Sequence, residues 1–357
     1  MNDQPVIVAT GLASAVGEKT TRVCSSVRAK IRRLEAINWV DRGGEAIVMG
    51  RIPDGVLEEL PLNFRDKKHI SSLLERLIRI ANFALEDISG FRDKIKMPLF
   101  LALPKDIGAE RPMFPFEELT RQFSRISGIP LMFDHSRIIL NGRAGGLTAV
   151  YEAIQALQEG RYEAVLAGGV DSYKNEVLLR HLDQEGRLLS ELNPHGFIPG
   201  EGCGLMVLTL RETARRRNWE VLSTITACAV AEEKGHLESE LPFTGEGLSD
   251  TFRYLLRQNR DRNDSIKIIY SSMNGEEHWA RELGVAVIRH KKYLDSEYRT
   301  ITPADCHGDT GAAAGPLLLG MAMMGMRKGY APGPALVYSS SDQAGRAAVI
   351  VESVEGV

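Results

Sequence analysis

Two helices of this chain begin in an unusual way. GRAGGLTAV at 142–150 and GDTGAAAGPLLL at 308–319 each follow a polar stretch and open on glycine and alanine. Glycine in an exposed helix costs ~1 kcal/mol relative to alanine. Such starts therefore suit buried helices that lie close against another backbone. The second runs on through MAMMGM, 321–326, whose methionines read as core or dimer-facing packing, not as a metal site. The two stretches are a loose echo of each other, and no short-period repeat accompanies them.

Apolar runs bounded by turn residues predict strands at 5–11, 97–103, 136–140, 163–172, 202–210, 221–230, 265–272, 334–341 and 346–353. The runs at 202–210 and 221–230 read as adjacent strands. Helices are expected at 18–31, 71–88, 117–127, 144–159, 248–258 and 310–329. The clearest is 71–88, with a stripe through Leu73, Leu74, Leu77, Ile80, Ala81, Ala84, Leu85 and Ile88 and a serine to cap it. Helices alternating with buried strands make the class α/β. A length of 357 residues exceeds what one small core usually holds, so two structural halves are expected.

Bulk properties narrow the function. A net charge of -3 and a pI near 6.3 argue against a strong nucleic-acid or anionic-membrane binder. No run approaches the ~18 apolar residues of a membrane helix, and MNDQPVIVATG lacks a signal-peptide layout. Cys24, Cys203, Cys228 and Cys306 are scattered, which fits a reducing, cytoplasmic setting and gives no zinc signal. Phosphate-binding loops, HExxH and nucleotide fingerprints are missing from the sequence. No cofactor, metal, nucleic acid or membrane partner is expected.

Four segments carry a resemblance. They are IVATGLASAVG at 7–17, GRAGGLTAVYEAIQALQEGRYEAVLAGGVDS at 142–172, HGFIPGEGCGLMVL at 195–208 and GDTGAAAG at 308–315. In this order they resemble the β-ketoacyl synthase branch of the thiolase-fold superfamily. The resemblance implies two similar α/β halves, here 1–215 and 216–357, in a layered αβαβα arrangement, normally as a homodimer. It also implies a cysteine at the start of a buried helix and two histidines that stabilise charge during condensation. Matched residue by residue, the cysteine position falls on Arg143 and the first histidine position on Asn274. The second falls on Asp309, or on His307 if the register slips. The family's Gly-Phe-Gly-Gly loop is replaced by Ser341-Asp342-Gln343-Ala344-Gly345.

Arginine stays protonated in proteins and is no nucleophile. A cation at a helix N-terminus is opposed by the macrodipole, and when buried it needs a partner. Two readings follow. Arg143 pairs with Asp309 and plugs the old site, with Asn274 as hydrogen-bonding filler. Alternatively Arg143, with Asn274, Asp309 and Ser341, anchors the carboxylate or phosphate of a small ligand, such as a small acyl or carboxylate compound. The leading expectation is a non-catalytic pseudoenzyme serving as scaffold, adaptor or partner subunit, with no catalytic residue. It would form a homodimer, or a heterodimer with a synthase-like subunit as chain-length factors do, or hold an unidentified protein partner. Degenerate thiolase-like proteins near type VI secretion genes make an adaptor role another form of this reading. The competing expectation is an acyltransferase or acyl-thioester hydrolase using Cys306 and His307. Cys203 reads as a small buried hydrophobe, His195 as a loop hydrogen-bonder, and RETARRRN, 211–218, as a solvated connector.

Overall fold

The computed structural model describes residues 3–57, 71–91, 95–105, 116–258 and 265–354. In chain order the elements are β1 (Pro5–Ser14), α1 (Thr20–Arg28), β2 (Glu35–Val40), β3 (Ala46–Met49), α2 (Ser72–Ile88), β4 (Leu99–Ala102), α3 (Phe116–Ser127), β5 (Arg137–Ile139), α4 (Gly145–Gln158), β6 (Ala164–Ser172), α5 (Glu176–Gln184) and β7 (Glu201–Leu210). Then follow α6 (Arg211–Arg217), β8 (Ser223–Glu232), α7 (Glu246–Gln258), β9 (Ile266–Ser271), α8 (Glu277–His290), β10 (Leu294–Ile301), α9 (Ala304–His307), α10 (Ala314–Arg327), β11 (Ala335–Ser340) and β12 (Gly345–Glu352).

The sheet order is β10-β9-β11-β12-β8-β1-β7-β6-β4-β5, with β2 and β3 as a separate hairpin. Outward from the centre, β1-β7-β6-β4-β5 and β8-β12-β11-β9-β10 have the same connectivity. In each, the first strand in the chain pairs antiparallel with the fifth, the fifth antiparallel with the fourth, and the outer three strands are parallel. The arrangement is an internal duplication joined where Val6 faces Thr224 and Ile7 faces Ser223. The adjacency expected of 202–210 and 221–230 does not occur: β1 lies between them and pairs with both.

Strand alternation sends side chains to two faces, and the hydrophobic clusters follow it. Leu99 and Leu101 join the α2 stripe, while Phe100 and Ala102 join a central cluster. Ile269, Leu336 and Ile350 pack on α7 and α8, while Ile268, Val337 and Val349 face the centre. The central cluster contains α4 and α10. The layers are therefore helix, sheet, central helices, sheet, helix. Ser71 caps α2 by accepting from the Leu74 N–H at 3.1 Å. The 211–218 segment is not a plain connector: it folds as α6 and ends on left-handed Asn218.

The Gly/Ala starts do what their composition requires. A Cβ on Gly146 would lie 2.3 Å from Pro316 Cδ and 2.6 Å from the Ala312 carbonyl oxygen. A Cβ on Gly315 would lie 2.5 Å from Leu147 Cγ. The central helices thus cross at equivalent glycines. Each is preceded by a single 3-10 turn, Gly142–Ala144 and Gly311–Ala313, opened by a glycine with φ of +50° and +51° respectively. Arg143 is the duplicate of Ala312.

Candidate functional site

The turn Gly142–Ala144 ends a strand and starts α4, so it aims its middle residue into the layer between the sheets. Left-handed Gly142 makes the reversal possible. Ser341 accepts from the Ala144 N–H at 2.9 Å and donates to the Asn141 carbonyl; the Ser339 hydroxyl donates to the Arg143 carbonyl at 2.7 Å. These contacts bind the turn to the end of β11, which belongs to the other half.

Arg143 is 3% exposed, and every side-chain nitrogen is occupied. Nε donates to the Ser340 carbonyl at 3.1 Å, Nη1 to Asp309 Oδ2 at 2.6 Å, and Nη2 to Asp342. The guanidinium lies 4.2 Å from the Trp279 ring centre, a cation–π contact in a dry setting. Asn274 donates to Asp309 Oδ2 at 2.8 Å, and Asp309 Oδ1 accepts from the Gly311 N–H at 2.9 Å. The structure therefore brings Arg143, Asn274, Asp309 and Ser341 together.

Sequence reading missed the outer members. Arg187 donates to both Glu276 oxygens, at 2.8 and 2.9 Å, and to Asp342 Oδ2 at 2.9 Å. Glu276 also accepts from Trp279 Nε1 at 2.9 Å and from Asn274 at 3.1 Å. Asp342 lies in the run that replaces the family glycine loop, which was the one available signal. Nothing local marks Arg187, which reaches the site from the loop after α5. The cluster sets the two cations Arg143 and Arg187 among the three carboxylates Asp309, Asp342 and Glu276. Beyond Trp279, buried Arg346 donates to Glu282 at 2.5 Å and its guanidinium lies 5.8 Å from the same indole.

The electrostatics follow from the pairing. Burial alone would weaken the Arg143 cation, but Asp342 and Asp309 more than reverse this and raise its pKa. Burial opposes the Asp342 carboxylate, yet Arg143 and Arg187 pull its pKa down to about 2. Glu276 is likewise lowered, chiefly by Arg187 against its burial. Arg143 is thus a fixed cation whose charge is compensated.

Among the described residues, the space beside Asp309 is small. A cavity of about 20 Å³ beside Asp309, lined also by Ser271 and His307, has the volume of a single water. His307 donates its Nδ1–H to the Gly308 carbonyl, 2.9 Å away, and its Nε2 has no partner among the described residues. Burial holds its pKa down. Cys306 lines a different, larger cavity, and burial raises its pKa. No hydrogen bond joins Cys306 to His307 among the described residues. The structure does not bring that pair together as a nucleophile and base.

The other motif residues brace the site. Glu201, fully buried, accepts from Arg76 Nε and Nη2, the Ile52 N–H and the Ser172 hydroxyl, each at 2.6 Å. Asp171 accepts from the Ala312 N–H at 2.7 Å and so caps the second 3-10 turn. The Asp309 N–H donates to the Ile198 carbonyl at 2.8 Å, which ties the 195–208 motif to the plug. Cys203 is buried in β7 and His195 is exposed.

Residues 142–214 match the model of the family described as "Beta-ketoacyl synthase, N-terminal domain". The chain is 32% identical over 97 residues to 6-methylsalicylic acid synthase of Penicillium expansum, covering 25% of this chain and 6% of that protein. It is 25% identical over 159 residues to the tetracenomycin polyketide synthase ketoacyl synthase beta subunit of Streptomyces glaucescens, covering 40% of this chain and 37% of that one. Among solved structures, the ketosynthase from module 6 of the bacillaene synthase of Bacillus subtilis 168 superposes with a TM-score of 0.80 at 15% identity, over 99% of this chain and 72% of the other. The ishigamide ketosynthase/chain length factor superposes with a TM-score of 0.77 at 17% identity, over 100% of both chains. The fold is that of the thiolase-type ketosynthases.

Proposed function

We propose that this β-ketoacyl synthase-like chain is a non-condensing partner subunit whose former reaction centre has become an internal ion-pair plug. The observation that carries the reading is Arg143, at the start of the buried helix, with each side-chain nitrogen on a protein oxygen and a cavity of single-water size beside its partner Asp309. Condensation by this fold needs an acyl group carried on a side chain at that point. A guanidinium fixed between two carboxylates accepts none.

The same observation disfavours Arg143 as a ligand anchor, because a carboxylate ligand would have to displace Asp309 or Asp342. It leaves surfaces, not the old pocket, to carry function. Support for a paired role comes from the company the chain keeps. Its relatives include a ketoacyl synthase beta subunit and a ketosynthase/chain length factor, and a further neighbour is a type II ketosynthase bound to an acyl-carrier protein. The partner class is therefore a ketosynthase-like subunit that carries the thiol, with a second copy of this chain as the simpler assembly. An adaptor role in secretion has no support from these likenesses.

The test is purification of the tagged chain from its native host at mild salt. The expected result is an equimolar complex with a thiol-bearing ketosynthase-like polypeptide whose condensation stops when this chain is withheld. Condensation or acyl transfer by this chain alone would overturn the reading.

A further inference from the structure

A second cavity lies away from the plug. It holds about 460 Å³ between α1, β9, β10 and the C-terminal part of α10, within the range of small-molecule sites. Its floor is apolar, with Ile268, Tyr270 and Met321, and its mouth carries Arg28, Lys30 and Arg299. Among the described residues, no aspartate or glutamate lines it.

The charge at its mouth is of one sign. Arg76 of α2, Arg143 and Arg187 of the plug, and Arg216 and Arg217 of α6 sit on carboxylates. Arg28, Lys30 and Arg299 form no ion pair with any described residue; Arg28 only stacks on Tyr330 at 4.4 Å. The acidic hydrogens in the wall stay on. Burial pushes the Cys24 thiol and the Tyr330 phenol up to about 12, and raises Tyr270 and Cys306 as well. The lining side chains therefore carry no negative charge near neutrality, and Asp87 and Asp305 stand behind Cys24 and Cys306 outside the lining. A deep apolar pocket with three uncompensated cations at its mouth is complementary to a molecule with an apolar body and an anionic head.

We infer that the cavity between α1 and β10 binds an amphipathic organic anion, its apolar body on Ile268 and Met321 and its carboxylate or phosphate head at Arg28, Lys30 and Arg299. The site is separate from the plug, on the far side of the short helix α9, so its occupancy does not depend on Arg143.

Calorimetric titration of the full chain with decanoate, decyl phosphate and decanamide tests this. The two anions share the chemistry; whichever binds more tightly identifies the head. The expected result is one anion bound per chain, with decanamide at least about tenfold weaker, as two or three rim charges would give. The Lys30→Ala/Arg299→Ala double variant, changed only at exposed positions, should retain its melting temperature. It should lose about tenfold in anion affinity and leave decanamide unaffected. Met321→Trp, which fills the floor, should abolish all three. Equal binding of anion and amide, anion binding that survives the double variant, or no binding at all would each overturn the site.

Discussion

Arg143 and Asp309 stand 166 residues apart in the chain and meet at 2.6 Å where the two halves of the duplication face each other. Each sits beside the turn that starts a central helix. Their pairing closes the space between those turns and joins the halves through one buried charge contact, both side chains being no more than 3% exposed.

Removing one partner should therefore cost far more than removing both. Asp309→Asn leaves Arg143 with a single carboxylate and is expected to destabilise by about 3–5 kcal/mol. The double variant Arg143→Met/Asp309→Leu should recover most of that loss. Urea unfolding of Arg143→Met, Asp309→Leu and the double variant closes the cycle. Additive losses would mean the pair is uncoupled.

Acid should loosen the plug at Asp342. Its folded pKa, about 2, lies below the ordinary 3.8. Unfolding therefore takes up a proton between these values, and the unfolding free energy rises with pH across the window. The contribution, roughly 2 kcal/mol from the size of the shift, is fully present above pH 4 and is lost as pH falls towards 2. Asp342→Asn should flatten the melting temperature of the protein against pH between 4 and 2, relative to wild type.

The crossing of the central helices depends on bare backbone. Gly146→Ala would drive a methyl into Pro316 and the Ala312 carbonyl, and overpacking of this kind costs about 1–3 kcal/mol or more. Gly284, in α8, has nothing within 4 Å of an added Cβ. Gly284→Ala is expected to stabilise by about 0.5–1 kcal/mol through helix propensity. Thermal unfolding of both variants gives opposite signs if the crossing is as described.

Glu201 takes four donors, so Glu201→Gln should be costly although the residue touches no part of the plug. It leaves Arg76 buried without its main counter-charge, an expected loss of about 3 kcal/mol or more. Chemical unfolding at neutral pH measures it.

Much of the fold was legible because it is written in period and in spacing. The 71–88 stripe is α2, and the two Gly/Ala starts mark the crossing helices because only small residues permit that approach. The placement of β1 was not legible: apolar runs at 202–210 and 221–230 follow each other in the chain, but pairing is set by the fold, and β1 comes between them. At the site, Arg143 was conspicuous as a charge on a turn that ends an apolar run. Arg187 was silent, because a lone arginine after a surface helix looks like any solvated cation until the chain folds it onto Glu276 and Asp342. Cys306 and His307 are neighbours in sequence, yet the short helix between Pro303 and Gly308 turns them towards different cavities.

The central claim is that the start of α4 carries a plug where an acyl carrier would stand. Intact mass spectrometry after incubation of the purified chain with acyl thioesters, alongside a thiol-release assay, tests it most directly. The account predicts an unchanged mass and no thiol release above the rate without protein. A covalent acyl adduct, or steady thiol release that a Cys306→Ala variant abolishes, would contradict it.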